Sequence, residues 1–189
     1  MSITPRTAVL LLVHRLKGKV GTRTKVMKYM YFIGEMLGEH EWGFHAHFYG
    51  PYSEDVADAI SRLGFLGFID ERCQQFGPDE RGFERCRYDY SLTDDGRAIA
   101  EGLLPQLGPA AKQFTDAVDK VRSAAADMGY MDLSYAAKTY FLLKESGKPM
   151  LPAEIRAKAR EFQWTIAAHD VEKSVSFLES LGLATRGNS

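Results

Sequence analysis

The sequence predicts a mainly α chain with one small β-hairpin, an α+β class. Three observations point there. Apolar residues recur at helical spacing through most of the chain, as in Val26, Met30, Ile33 and Leu37. Thr, Ser and Pro stand where helices begin, and glycine stands where they end. One stretch, residues 65–92, breaks this pattern, with strand-like runs on either side of a polar, glycine-containing tip.

Taken in order, the first helix is announced by Thr4 as N-cap and Pro5 at the first helical position. It carries Val9 to Val13 and Leu16 and stops at Gly18. A second helix starts near Thr22 and ends at Gly38. In "EWGFHAHFYGPY", Trp42, Phe44, Ala46 and Phe48 alternate with Gly43, His45, His47 and Tyr49, the period of a half-buried strand. Gly50-Pro51 turns the chain, and Ser53 caps a third helix whose inner face is Val56, Ile60 and Leu63. "FLGFIDERCQQ" and "RCRYDYSL" read as the two strands of a hairpin, with Thr93 capping the next helix. Three helices followed by such a hairpin make a winged helix-turn-helix.

Residues 106–130 form a connecting helix in which Phe114, Val118, Val121, Ala125 and Met128 follow a heptad-like spacing. About two heptads leave two readings open, packing within the chain or the seam of a homodimer. The last third, residues 131–189, repeats the three-helix pattern without a wing: "SYAAKTYFLLKES", "LPAEIRAKAREF" and "AHDVEKSVSFLESLGLA". The predicted organisation is a winged-helix domain over residues 1–105, the connecting helix, and a C-terminal helix-turn-helix-like unit.

Composition limits function. At 45% apolar and 26% charged, the 189 residues suffice for a real core, and the net charge of −1 announces no overall basic field. The average hides an asymmetry. Residues 1–30 hold seven Lys and Arg and no Asp or Glu, leaving 17 basic against 25 acidic residues elsewhere. The run Ala8 to Val13 is too short to span a bilayer and lacks a cleavage site, so a cytoplasmic chain without membrane contact is expected.

The third helix stands where a DNA-reading helix would, yet its exposed positions carry Glu54, Asp55 and Asp58 against Arg62. Phosphates repel such a face, so Glu54, Asp55 and Asp58, with Tyr52 in the preceding turn, are assigned instead to a protein partner or to solvent. Phosphate contact falls to Arg15, Lys17, Lys19, Arg23, Lys25 and Lys28 around the first interhelical turn, and to Arg81, Arg85 and Arg87 of the hairpin. Cys73 and Cys86 face each other if the turn is centred between residues 79 and 80, which offers a redox pair; two reduced thiols are the other reading. His45 and His47 share a strand face beside Glu39, His40 and Glu41, but no ordered metal spacing is present and no metal or cofactor is assigned. No Gly-x-Ser-x-Gly, phosphate-cradling glycine loop or His-Glu-x-x-His occurs, so an enzyme is not expected.

The stretches "RTKVMKYMYFIGEML", "FHAHFYGPYSEDVADAI" and "LGFLGFI" resemble a loose group of bacterial and archaeal winged-helix proteins. The group includes the YwgA-like proteins and, more distantly, the Panacea domain of antitoxins and the SocA-type adaptor. The shared features are an aromatic-rich helix with Lys25, Lys28, Tyr29 and Phe32, and the Tyr49 to Tyr52 turn, over about residues 20–70. The resemblance implies a regulatory or interaction module and carries over no catalytic residue. The expected function is duplex DNA binding by a dimeric transcriptional regulator; the alternative is a protein-interaction module such as an antitoxin or adaptor.

Overall fold

A computed structural model describes residues 3–78 and 84–184, without the side chains of residues 76, 78 and 84–86. Along the chain run α1 (Pro5–Arg15), β1 (Lys19–Gly21), α2 (Arg23–Leu37), a 3₁₀ turn (His40–Trp42) and α3 (Glu54–Phe65). Then follow β2 (Ile69–Pro78), β3 (Glu84–Leu92), α4 (Asp94–Leu107), α5 (Pro109–Ala124), α6 (Tyr130–Ser146), α7 (Pro152–Glu161) and α8 (Ala168–Leu181). The molecule is mainly helical with a small antiparallel sheet, the expected α+β class. Among the described residues no helix is long and apolar enough to cross a membrane.

The helix starts follow from local chemistry. The Thr4, Ser53 and Thr93 hydroxyls accept from the amides of Thr7, Val56 and Gly96, as the sequence predicts for N-caps. Thr22 caps α2 by accepting from Lys25, at the cost of a φ of 65°.

Three expectations are corrected. The hairpin is a three-stranded sheet, because β1 pairs along β3 in the order β1-β3-β2. The strand expected over residues 42–49 is absent: the chain there makes a 3₁₀ turn and one isolated bridge, His45 to Tyr52. Trp42 explains the change. Its indole donates to the carbonyl of Ile3 at 2.9 Å and its ring covers Gly34, which places it in the core rather than on a pleat. Third, the register sets Cys73 opposite Tyr88 and Cys86 opposite Gln75, so the two cysteines are diagonal neighbours on one face, not directly opposed. Cys73 is disulfide-bonded, and the side chain of Cys86 lies outside the described residues.

The main core wraps α2, whose residues Val26 to Gly34 are all buried. Phe114, Val118, Val121 and Ala125 of α5 and the segment after it sit in this core. Of the two readings of their spacing, these side chains follow packing within the chain. Leu133, Ala136 and Ala137 of α6 and Phe177, Leu178 and Leu181 of α8 join the same core. A second, smaller cluster, built on Leu142, Ile155, Trp164 and Val171, holds α7 to α6 and α8.

Candidate functional site

The loop His47–Tyr52, which connects the bridge to α3, is gripped from three sides. From α2, Lys28 Nζ donates to the Pro51 carbonyl at 2.6 Å. From α6, Ser134 Oγ donates to the Tyr49 carbonyl at 2.8 Å. From the segment after α7, Trp164 Nε1 donates to the His47 carbonyl at 2.9 Å. Lys138, one helical turn beyond Ser134, lies 5.5 Å from the Trp164 ring centre in a cation–π contact. Gly50 fits between the two lysines with φ +91°, where any added Cβ would stand 3.0 Å from Lys138 Cγ.

Lys28 and Lys138 are buried at 2% and 7% exposure. Burial, joined by the Lys138 charge, pushes the Lys28 ammonium down to about 7, and burial lowers Lys138. No carboxylate offsets either lysine among the causes of these shifts. The loop held this way presents Phe48 and Tyr49 to solvent, 63% and 62% exposed and packed edge to face at 5.0 Å. Tyr130 and Met131, about one turn before Ser134 on α6, are exposed, and Glu54 and Asp55 follow the loop on α3.

Two of the sequence-predicted phosphate contacts are engaged inside the chain. Lys28 is corrected outright: α2 is apolar on every side, so its middle lysine turns inward and serves the loop. Arg15 forms a bidentate ion pair with Asp119 on α5, and the hydrogen bonds it donates to that carboxylate hold its guanidinium above the ordinary arginine range. Arg23 donates to the Ala57 carbonyl at 3.2 Å, and Lys25 lies 5.8 Å from the Tyr29 ring centre. Lys17 and Lys19 remain exposed. Arg87 reaches Gly21 of β1, where a Cβ would stand 3.0 Å from its Nη2, and pairs with Asp89 at 3.3 Å. Arg81 and the Arg85 side chain lie outside the described residues.

Of the residues assigned to a protein partner, Glu54 and Asp55 are exposed, with His45 Nδ1 3.5 Å from the Glu54 carboxylate. Asp58 is tied to Arg62 at 2.5 Å, and Tyr52 is half-buried with its ring 5.0 Å from His47. His45 and His47 do not assemble a metal centre: among the described residues no three His, Cys, Asp or Glu side chains group closely enough to hold an ion.

Ser134, Lys138 and Trp164 were not singled out from the sequence. Their roles depend on contacts spanning as many as 117 residues, which no local pattern encodes. Lys28 did leave a signal: "VMKYMYFIG" offers a lysine no polar side on which to sit.

No protein-family model matches the chain. A stretch of 102 residues is 32% identical to the uncharacterized protein YwgA of Bacillus subtilis (strain 168). Over that stretch the chain is similar to YwgA. The match covers 54% of this chain and 57% of YwgA, so the chain spans little more than half the length of that relative. YwgA supports one part of the resemblance read from the sequence; it adds no support for the Panacea or SocA-type likeness.

Proposed function

We propose that the protein is an interaction module that docks a protein partner on the Phe48–Tyr49 loop. The observation that carries this is the pairing of two exposed aromatics with a backbone fixed by Lys28, Ser134 and Trp164. Aromatic anchors contribute most of the energy at protein interfaces, and a preformed loop avoids the ordering cost of binding. Glu54 and Asp55, at the start of the helix that follows the loop, supply negative charge at its edge. The complementary surface is an apolar side chain flanked by Lys or Arg. The half-buried Tyr52 supports the loop, and Asp58, satisfied by Arg62, lies on the periphery.

The test is site-specific photocrosslinking from position 48 in nuclease-treated extract, followed by identification of the adduct and reconstitution with purified partner. Phe48→Ala with Tyr49→Ala should weaken the reconstituted complex by at least about a hundredfold, the scale of two anchor losses, and leave the melting temperature unchanged. Equal affinity in the double variant would refute the reading.

A second reading, duplex DNA binding by a winged-helix regulator, draws on one observation. Pairing of β1 with β3 brings the N-terminal cations and a hairpin arginine to the same sheet, with Arg87 over Gly21 and Arg97 against Gly18. Lys17, Lys19 and Arg87 would make about three phosphate contacts, giving a logarithmic salt slope of about −3. A titration of random duplex at 20–200 mM salt checks this; no binding at the low end excludes it. The order of α1, α2, α3 and the hairpin supports the winged-helix description, and the buried Lys28 and paired Arg15 weigh against a broad phosphate surface.

A further inference from the structure

A pocket of about 240 Å³ opens between α2 and α6, away from the aromatic loop, lined by Tyr31, Gly34, Glu35, Glu39, His40, Phe44 and Lys144. Tyr31 is 1% exposed and its hydroxyl has no hydrogen-bond partner among the described residues. A buried, unserved hydroxyl in the wall of a cavity is costly unless something in that cavity completes it. The Tyr31 ring packs edge-on to Phe44 at 5.2 Å, so two aromatic rings stand in the pocket wall. Glu35, with its side chain only 11% exposed, also lines the pocket and accepts hydrogen bonds from Lys144 Nζ at 2.9 and 2.8 Å.

The chemistry of this lining favours a cation. The carboxylate of Glu35 lies in one lining with the rings of Tyr31 and Phe44, and aromatic faces attract positive charge. A metal ion does not suit the site, because Glu35, Glu39 and His40 line one pocket without grouping closely enough to coordinate an ion. A ligand with N–H donors does suit it, since those donors can reach a carboxylate and the Tyr31 oxygen together. Lys144 shows what such a ligand looks like: a primary ammonium on a four-carbon stem, seated on Glu35 but tethered to a half-exposed helix position.

We propose that this pocket is a binding site for a small primary alkylammonium ligand, with Glu35 as the anchoring carboxylate, Tyr31 as the buried acceptor and Lys144 as a built-in occupant that the ligand displaces. The site is separate from the docking loop and does not depend on that reading.

The probe is n-butylammonium chloride, titrated calorimetrically against the full chain, with tetramethylammonium chloride as a control that lacks N–H donors. Lys144→Ala should bind n-butylammonium at least tenfold more tightly than the unaltered protein, because the competing ammonium is gone. Glu35→Gln in the Lys144→Ala background should abolish that gain. Tetramethylammonium should bind no better to the variant than to the parent. Equal affinity in parent and Lys144→Ala, or a gain that survives Glu35→Gln, overturns the assignment and leaves the Tyr31 hydroxyl served by solvent alone. Lys144→Met, which keeps the stem and removes the charge, carries the same comparison if the alanine variant does not fold.

Discussion

Lys28→Met is expected to remove most of the dependence of folding stability on pH between about 7 and 10. In the native chain the Lys28 ammonium is held down to about 7 by burial and by the Lys138 charge, against 10.5 for an ordinary lysine. Between those values the unfolded chain binds a proton that the folded chain does not, so stability rises with pH. Each pH unit contributes about 1.4 kcal/mol, or on the order of 4 kcal/mol between pH 7 and 10. Lys138, also lowered by burial, adds in the same direction. Above about 10 the sign reverses: burial raises the phenols of Tyr31 and Tyr90, and that of Tyr140 to about 12, so the unfolded tyrosines release protons first. Urea denaturation at pH 6.5, 8 and 9.5 measures the slope. The native chain should gain steadily across that series. Lys28→Met should stay nearly level and fall furthest behind at pH 9.5, where the native amine is neutral and still donates to Pro51. A steep profile in the variant would show that other groups hold the proton balance.

Gly96→Ala should destabilise the fold by about 2 kcal/mol although alanine is the better helix former. An added Cβ at Gly96 would stand 2.0 Å from the Phe68 carbonyl oxygen, a backbone atom that cannot rotate away. That carbonyl already accepts from the Thr93 amide, and the Thr93 hydroxyl donates to Gly67, so the start of α4 is fastened to the entry of β2. Overpacking of this kind costs about 3 kcal/mol, and the helix-propensity gain of about 1 kcal/mol does not cover it. Gly102→Ala in the same helix is the control. Nothing lies within 4 Å of its Cβ position, so it should stabilise by up to about 1 kcal/mol. Chemical denaturation of both variants separates the two effects, and equal behaviour would mean that α4 shifts freely on the sheet.

The elements legible in the sequence were those written locally. Thr4-Pro5, Ser53 and Thr93 mark helix starts through hydroxyls that bond three residues on, and the structure bears them out. The stripe Val56, Ile60, Leu63 is buried as its spacing requires. What stayed hidden depends on distant partners. β1 is three residues long and exists only because β3 lies beside it. The alternation over residues 42–49 imitated a strand, but the indole of Trp42 found the Ile3 carbonyl instead. The candidate docking loop was half legible: Gly50-Pro51 announced a turn, while Ser134 and Trp164, which hold it, lie far along the chain. The pairing of Arg15 stayed hidden because its partner, Asp119, lies more than a hundred residues away.

The grip on the His47 carbonyl by Trp164 has a consequence for biosynthesis. Translation delivers the loop well over a hundred residues before the indole that fixes it. Until α6 and α7 have left the ribosome, Phe48 and Tyr49 belong to a nascent segment with no settled shape, open to whichever chaperone meets it first. The fixed shape of the loop is therefore complete only after Trp164 has been made.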